Sequence, residues 1–202
     1  MANNASTGVI ILAAGSSSRL GRPKQLLTFR NKPLLQHVID TAGPFPFATR
    51  VLVLGAHAGD ISGKIATKTF TPVMNPGWAT GMGTSISKGL KQALLQVPEL
   101  QHVLILLSDQ PFLSKDLIQK LIRTHLAGDK PVTASEYNGV TGVPAAFSEE
   151  LFADLLNLDG DRGANALIAG HPANVVPFDK GDIDIDTMED YRKLTRPPDS
   201  HN

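Results

Sequence analysis

The sequence predicts an α/β fold, an open, mostly parallel sheet in three layers with helices on both of its faces. Two observations carry this prediction. Short aliphatic runs alternate along the chain with longer amphipathic segments, which is the pattern of consecutive strands joined by right-handed helical crossovers. The first aliphatic run, residues 8–13, has no polar side chain, as expected of a strand that is covered on both faces of a parallel sheet.

The individual elements follow in chain order. Strands are predicted at residues 8–13, 50–54, 71–74, 102–107 and 131–134, with late strands at 174–177 and 183–185. Helices are predicted at residues 33–42, 84–96, 114–127, 148–156, 162–169 and 187–194. Ser114 is a suitable N-terminal cap for the third of these helices. Residues 136–147 are predicted to form a hairpin or a loop, and the residues from Arg196 onward a disordered tail.

Size and composition exclude several classes of function. The chain has 202 residues, with 19 basic and 19 acidic side chains, and a protein that tracks nucleic acid would carry a basic excess. The absence of cysteine excludes disulfides, thiolate metal sites and cysteine nucleophiles. No apolar run approaches the roughly 20 residues that span a bilayer, and residues 1–7 lack the features of a signal peptide. We therefore expect a cytoplasmic protein whose partners include neither a membrane nor a nucleic acid.

A loop rich in small residues follows the first predicted strand. Residues 13–18 are Ala-Ala-Gly-Ser-Ser-Ser, and Arg19, Arg22 and Lys24 come shortly after them. Small residues let backbone N–H groups face an anion, and nearby cations neutralise its charge. Ligands of open α/β sheets bind beyond the carboxyl ends of the strands, where this loop is expected to lie. The loop is therefore predicted to bind phosphate; the alternative is a flexible connection whose basic side chains are merely solvated.

Asp109 follows the most hydrophobic strand predicted, residues 102–107. Mg²⁺ on a nucleotide takes one or two carboxylates together with phosphate oxygens and water. A carboxylate at the end of a buried strand can supply one of these ligands, so Asp109 is a candidate metal ligand. The alternative is a turn or capping aspartate, because Asp109 stands two residues before Pro111 and Asp-x-Pro is common in turns.

Asp184 and Asp186 stand two residues apart in a segment that we expect to be extended, so both would project from the same face. Either could supply a second carboxylate to the metal. The alternative is an acidic surface edge in which Asp186 caps the last helix together with Thr187.

These motifs resemble one family in content and in order. Residues 12–24, Leu-Ala-Ala-Gly-Ser-Ser-Ser-Arg-Leu-Gly-Arg-Pro-Lys, resemble the signature L-A-A-G-x-S-x-R-M-G-x-x-K of nucleotidyltransferases with a Rossmann-like, glycosyltransferase-A-like fold, with Leu20 in place of the usual methionine. Four further segments resemble those of the molybdenum cofactor cytidylyltransferases, namely residues 75–86, 108–112, 160–164 and 184–187.

The resemblance extends over residues 8–191 and implies one nucleotidyltransferase domain for residues 1–202. Its nucleotide-binding part would be residues 8–135, its acceptor-binding part residues 136–195, and its tail residues 196–202.

The resemblance also implies a reaction, in which a phosphate oxygen of a molybdopterin-type acceptor attacks the α-phosphorus of CTP, with Mg²⁺ as cofactor, and pyrophosphate leaves. CTP is implied rather than GTP because the guanylyl branch usually carries glycine in place of Ala14. The implied catalytic residues are Arg19, Lys24 and Asp109, the two cations stabilising the charge of the triphosphate. The implied nucleotide-binding residues are Leu12, Ala13, Ala14, Gly15, Ser16, Arg19, Lys24, Gly81, Gly83 and Ser85. The implied metal ligands are Asp109, Asp186 and Asp184, with Asp186 favoured over Asp184, and the implied acceptor contacts are Asp161 and Arg162.

The segment from Gly81 to Ser85 resembles the loop that holds the nucleobase in this family. Its glycines let the backbone approach a planar base closely, and Ser85 offers a hydroxyl to the edge of the base. The same residues also suit an ordinary helix start, with Thr84 or Ser85 as the cap.

The identity of the acceptor stays open. Many relatives carry Gly-His-Pro where this chain has Gly-Val-Pro at residues 142–144, so Val143 replaces the family histidine. One alternative function is a cytidylyltransferase for a sugar- or polyol-phosphate. Another is a nucleotide-binding maturation chaperone, with a molybdenum hydroxylase apoenzyme as its partner. Neither a zinc site nor a hydrolytic triad is predicted, because no two histidines have the spacing of metal ligands; they stand singly at positions 37, 57, 102, 125, 171 and 201.

Overall fold

The computed structural model describes residues 6–160, 163–183, 185 and 187–195. The strands are β1 (Thr7–Ala13), β2 (Thr28–Phe29), β3 (Lys32–Pro33), β4 (Thr49–Leu54), β5 (Thr71–Met74), β6 (His102–Leu107), β7 (Val132–Tyr137), β8 (Val140–Ser148) and β9 (Ala173–Pro177). The α-helices are α1 (Leu34–Ala42), α2 (Ala58–Ser62), α3 (Met82–Gln96), α4 (Lys115–Ala127), α5 (Phe152–Leu156), α6 (Ala164–Gly170) and α7 (Met188–Thr195). Short 3-10 helices are present at Ser18–Leu20, Lys24–Leu26, Trp78–Thr80 and Glu149–Leu151.

Seven strands form one sheet in the order β5-β4-β1-β6-β8-β7-β9, and β2 pairs with β3 in a separate hairpin. β1 runs parallel to β4 and β6, β4 parallel to β5, and β7 parallel to β9. β8 runs antiparallel to both of its neighbours, β6 and β7. The predicted mostly parallel sheet is therefore confirmed. The chain leaves β1 toward β4 and later returns to the other side of β1 as β6, so the loop after β1 emerges where ligands of such sheets bind.

Helices cover both faces of the sheet, as predicted. Val9 and Ile11 of β1 pack in a core with α1, α2 and α4. Ile10 and Leu12 of the same strand pack in a second core with α3, α5 and α6. Successive side chains of a strand point to opposite faces, which explains why every residue of this run had to be apolar. Within the described residues, no helix is long and apolar enough to cross a membrane.

Several element bounds agree with the sequence prediction. The strands predicted at residues 71–74 and 102–107 have those bounds in the structure. Ser114 caps α4, and its Oγ accepts the N–H of Leu117 at 3.1 Å. The segment predicted as a hairpin or a loop contains the tight β7–β8 connection, with Asn138 at φ 50° and Gly139 at φ 74°. Helix α2 and the β2–β3 hairpin were not predicted.

The predicted start of α3 is wrong. The helix begins at Met82 rather than Thr84, and Gly81 precedes it with φ 132°, a conformation that favours glycine. Neither Thr84 nor Ser85 is the cap. The Thr84 hydroxyl instead donates back to the carbonyl of Gly81 at 2.9 Å, so it ties the first turn to the residue before it.

The strand predicted at residues 183–185 is also wrong. Ile183 and Ile185 lie outside every strand of the described part of the chain. Ile185 is fully buried, and it packs with Leu20 and Phe29 in a third apolar cluster. The alternation that suggested a strand therefore reflects the burial of Ile185 in this cluster, and neither Ile183 nor Ile185 belongs to a strand.

His125 predicts a specific loss of stability in acid. The side chain is 4% exposed and lies between α4 and the sheet, with Nδ1 3.2 Å from Thr133 Oγ1 and Nε2 3.3 Å from Ser148 Oγ. Burial, together with a smaller effect of the adjacent His102, lowers the pKa of His125 to about 4. The unfolded chain binds this proton more readily than the folded chain. The free energy of unfolding should therefore fall as pH drops from about 6.5 to about 4, on the order of 2 kcal/mol from this group.

Urea unfolding at pH 7 and pH 4.5 measures this loss. We expect the wild type to lose more stability between the two values than His125→Gln, because glutamine keeps hydrogen-bonding capacity but does not titrate. Equal losses in the two proteins would show that His125 does not contribute to the acid sensitivity.

Candidate active site

A cleft of about 420 Å³ opens at the carboxyl ends of β1 and β6. Its walls are the loop after β1, the Trp78–Thr80 helix, the start of α3 and the residues after β6. The predicted site residues that line it are Leu12, Ala14, Gly15, Ser16, Lys24, Gly81, Ser85 and Asp109. The fold thus brings together motifs that stand up to about a hundred residues apart, at the edge where ligands of open sheets bind.

The loop after β1 turns twice through left-handed backbone conformations. Ser17 has φ 53° and Gly21 has φ 66°. The N–H of Lys24 donates to Ser17 Oγ at 3.0 Å, which closes the loop on itself. Arg19 lies between the two turns on the Ser18–Leu20 helix with an exposed side chain, and it does not line the cleft.

The carbonyl oxygens of residues 13–16 all accept hydrogen bonds from outside the loop. The side chain of Gln25 donates from Nε2 to Ala13 at 3.2 Å and to Gly15 at 3.1 Å. The N–H of Ala56 donates to Ala14 at 3.1 Å, and Nε2 of His57 donates to Ser16 at 2.7 Å. Sequence analysis gave no role to Gln25 or His57. The only signals were a glutamine directly after Lys24 and a lone histidine shortly after a strand.

Lys24 and Asp109 form an ion pair across the cleft. Their side chains are 21% and 9% exposed. A carboxylate buried to this degree needs a compensating charge, because an isolated buried ion costs several kcal/mol. Lys24 is predicted to act on a triphosphate and Asp109 on a metal. The pair must therefore open, at least in part, if both ligands are to bind.

Asn75, which is 4% exposed, organises the opposite wall. Its Nδ2 donates to Thr84 Oγ1 and Ser85 Oγ, both at 2.9 Å, and its Oδ1 accepts the N–H of Gly77 at 3.0 Å. The Ser85 hydroxyl is consequently fixed where it can meet a ligand. Sequence analysis missed this role of Asn75. The available signal was a polar residue directly after strand β5.

Ala14 packs closely against its surroundings. A Cβ at Gly55 would lie 2.8 Å from the Cβ atoms of both Ala14 and Trp78, so only glycine fits there. Trp78 is half-buried and lines the cleft, so it can both pack and present ring surface to a ligand. The close packing of Gly55 against Ala14 and Trp78 fixes the wall of the cleft beside the Ala14 methyl group.

Two predicted nucleotide-binding residues lie behind the walls rather than in them. Ala13 is 1% exposed and ends β1. Gly83 is buried, and its N–H donates to the carbonyl of Gly160 at 3.1 Å. Both residues therefore support the cleft without lining it.

The remaining predicted residues, Asp161, Arg162, Asp184 and Asp186, lie outside the described part of the chain. The residues next to the first pair are described, and they lie beside the cleft. Gly160 is bonded to the start of α3, and a Cβ at Gly163 would lie 3.3 Å from Met82 Sδ. Among the described residues, no group of three or more histidine, cysteine and acidic side chains could hold a metal ion. Asp109 is the carboxylate that the described residues place in the cleft, and nucleotide oxygens and water would supply further ligands to a metal there.

The model of the MobA-like NTP transferase domain matches residues 9–175 of this chain. Two curated relatives align with almost the whole chain. Nicotine blue oxidoreductase from Paenarthrobacter nicotinovorans is 30% identical over 201 residues, covering 93% of this chain and 95% of that protein. Molybdenum cofactor cytidylyltransferase from Escherichia coli (strain K12) is 27% identical over 187 residues, covering 90% of this chain and 92% of that protein.

A solved structure has the same fold over nearly its entire length. Rv0371c from Mycobacterium tuberculosis H37Rv superposes with a TM-score of 0.82 and 29% identity, covering 95% of this chain and 98% of that chain. A complex of Rv0371c with manganese gives a TM-score of 0.74 and 28% identity, covering 94% of this chain and 97% of that chain.

Proposed function

Because this chain belongs to the MobA-like NTP transferase family and is a nucleotidyltransferase, we propose that it transfers a CMP group from CTP to the phosphate of a molybdopterin-type acceptor. One observation supports this proposal above the others. A loop rich in glycine and serine and the Lys24–Asp109 ion pair meet in one cleft at the ends of β1 and β6. The choice of acceptor is supported by the relative named molybdenum cofactor cytidylyltransferase.

In the proposed reaction, an oxygen of the acceptor phosphate attacks the α-phosphorus of CTP. A new P–O bond joins the CMP group to the acceptor. The bond between the α-phosphorus and the oxygen that bridges to the β-phosphate breaks, and its electron pair leaves with pyrophosphate. The attacking phosphate is already ionised near neutral pH, so no general base is needed.

The protein would contribute positioning and charge neutralisation. Gly15 and Ser16 line the cleft and would offer backbone N–H groups to the triphosphate. The Lys24 ammonium would neutralise charge on the triphosphate and on the departing pyrophosphate, with Arg19 assisting from the exposed side of the loop. Ser85, held by Asn75, would meet the nucleobase.

The cleft also fits a divalent metal that is held partly by the nucleotide. Asp109 presents a largely buried carboxylate there, and carboxylate oxygens are the ligands that Mg²⁺ and Mn²⁺ prefer. A bound Mg²⁺ would supply electrostatic stabilisation of the phosphate oxygens. Asp186, and after it Asp184, would complete the proposed set. The manganese complex of a 28% identical protein supports a divalent ion.

Nucleotide preference tests the cytidylyl assignment. Ala14 lines the cleft, where its methyl group would narrow the space for the base, and a pyrimidine needs less room than a purine. A hydrogen-bonded pocket also discriminates strongly, because a wrong base leaves buried polar groups unpaired. We expect kcat/KM for CTP to exceed that for GTP by at least about tenfold, or about 1.4 kcal/mol. Steady-state kinetics with each nucleotide and saturating molybdopterin measure this ratio.

Ala14→Gly provides the matched variant for this experiment. It removes the methyl group but keeps the backbone donors, so we expect the preference for CTP over GTP to shrink. A wild-type preference for GTP or ATP would refute the cytidylyl assignment but not nucleotidyl transfer.

The same assay, run with different acceptors, separates the alternatives. If a sugar- or polyol-phosphate accepts the CMP group in place of molybdopterin, the protein is the second kind of cytidylyltransferase. Val143, which stands in place of the family histidine, is 5% exposed, and its carbonyl accepts the Nε2 hydrogen bond of Gln110 at 3.0 Å. Tight nucleotide binding without turnover on any acceptor would favour the maturation chaperone of a molybdenum hydroxylase.

A further inference from the structure

The carbonyl oxygens of the phosphate loop accept hydrogen bonds from donors to which the sequence analysis gave no role. Ala13, Ala14, Gly15 and Ser16 each have a carbonyl oxygen bonded to a donor outside the loop. Two of these donors, the N–H of Ala56 and Nε2 of His57, belong to the β4–α2 turn. The third donor is the side chain of Gln25. Ala13 ends β1, but the next three residues belong to no helix or strand, so their tethered carbonyls need another explanation.

Peptide geometry supplies that explanation. In a trans peptide, the C=O of one residue and the N–H of the next lie in one plane and point in opposite directions. Pulling the carbonyls of Ala14, Gly15 and Ser16 back into the protein therefore turns the N–H groups of residues 15, 16 and 17 toward the other side. Gly15 and Ser16 line the cleft, and no hydrogen bond to another described residue occupies their N–H groups. Outward N–H groups with inward carbonyls form an anion-binding concavity.

We propose that His57 and Gln25 are positioning residues, which orient the loop N–H groups toward the triphosphate; His57 does so from outside the lining of the cleft, whereas Gln25 is part of that lining. This inference rests on the proposed nucleotidyl transfer. Gln25 is 1% exposed, and its Nε2 must face the two carbonyls because only the amide nitrogen can donate to them. His57 makes the shortest bond of the set, 2.7 Å. Without its donor, the Ser16 carbonyl would be free to turn its negative end toward the phosphates.

His57 is the better residue to test, because its substitution should disturb the fold least. Its side chain is 26% exposed, and it precedes α2 rather than lying in an apolar core. Nδ1 of His57 lies 3.7 Å from a carboxylate oxygen of the exposed Asp60. Loss of a partly exposed hydrogen bond should change the melting temperature little. A large change in nucleotide affinity would then report the orientation of the loop.

The experiment compares His57→Ala with His57→Gln, which keeps an N–H donor, and with His171→Ala as a matched control. His171 also bonds a backbone carbonyl through a ring nitrogen, 3.0 Å from Leu167 O, but it does not line the cleft. Calorimetry gives Kd for CTP in the presence of Mg²⁺, and steady-state kinetics give kcat and KM. We expect His57→Ala to raise Kd and KM about tenfold with a smaller change in kcat. His57→Gln should recover most of the affinity, and His171→Ala should match the wild type.

Each other outcome overturns the inference in a recognisable way. If the His57→Ala variant has a lower melting temperature but binds CTP with the Kd of the wild type, the role of His57 is purely structural. The same holds if His57→Gln is as impaired as His57→Ala, because donation would then not matter. A wild type that binds no nucleoside triphosphate would overturn the proposed function together with this inference. Wild-type binding with unchanged affinity in His57→Ala would overturn this inference alone.

Discussion

Asp109→Asn is expected to lower kcat about a thousandfold, or by about 4 kcal/mol in the transition state. The substitution keeps the shape of a side chain that is 9% exposed, but it removes the charge that would hold a metal against the phosphates. The same change releases Lys24 from its ion pair. Binding of the nucleotide without metal should therefore stay the same or become tighter, and the loss should appear in turnover.

Steady-state kinetics and calorimetry with CTP separate these two effects. Asp116→Asn is the matched control, because Asp116 also pairs with a lysine, at 2.9 Å, but is 71% exposed on the surface of α4. It should retain full activity. Turnover of Asp109→Asn above about a tenth of the wild-type value, or full wild-type activity in the presence of a chelator, would refute the metal assignment.

Lys24→Met is expected to lower kcat/KM by about a hundredfold to a thousandfold, because a preorganised cation that faces developing charge contributes about 3–4 kcal/mol. The same substitution should also have a second effect, which is to strengthen metal binding although it weakens catalysis. With Lys24 replaced, Asp109 loses the ammonium that compensates its charge in the unliganded protein. We therefore expect Lys24→Met to bind Mn²⁺ more tightly than the wild type when no nucleotide is present.

Mn²⁺ titration followed by electron paramagnetic resonance measures this second effect. Lys120→Met is the control, since its partner Asp116 is exposed and should not gain a bound metal. Weaker Mn²⁺ binding in Lys24→Met, or turnover close to that of the wild type, would show that Lys24 does not compete with the metal for Asp109. In the expected case, the metal enters the wild-type cleft together with the nucleotide rather than before it.

The strands and the main helices could be predicted because their signals are local. Residues 103–107 are all apolar, since β6 is buried on both faces over residues 103–106, and Ser114 marks the start of α4 with its own hydroxyl. The segment at residues 183–185 was predicted wrongly for the same reason. Ile183 and Ile185 give a short alternating pattern, but neither of them lies in a strand of the described part of the chain, and Ile185 is buried in an apolar cluster instead.

The lining of the site was predictable only in part. Glycine, serine and basic residues after a buried strand indicate a phosphate loop, and a carboxylate after the neighbouring strand indicates a metal ligand. The residues that support them were missed. Gln25, His57 and Asn75 act through hydrogen bonds that reach 12, 41 and 10 residues along the chain, and no periodicity of the sequence encodes such contacts.

The name of one relative, nicotine blue oxidoreductase, which is 30% identical to this chain, gives that protein a different class of reaction. Electron transfer would require a redox cofactor or a reduced dinucleotide, whereas nucleotidyl transfer conserves oxidation state and produces pyrophosphate. The products therefore distinguish the two reactions without ambiguity.

Pyrophosphate release tests the central claim most directly. Wild-type protein is incubated with Mg²⁺ and each nucleoside triphosphate in turn, with and without molybdopterin, and pyrophosphate is measured beside the mass of the acceptor product. The proposed function predicts pyrophosphate with CTP only when molybdopterin is present, with one CMP group added to the acceptor for each pyrophosphate formed. No pyrophosphate with any triphosphate and molybdopterin, above all if the protein oxidises a reduced dinucleotide instead, would contradict it.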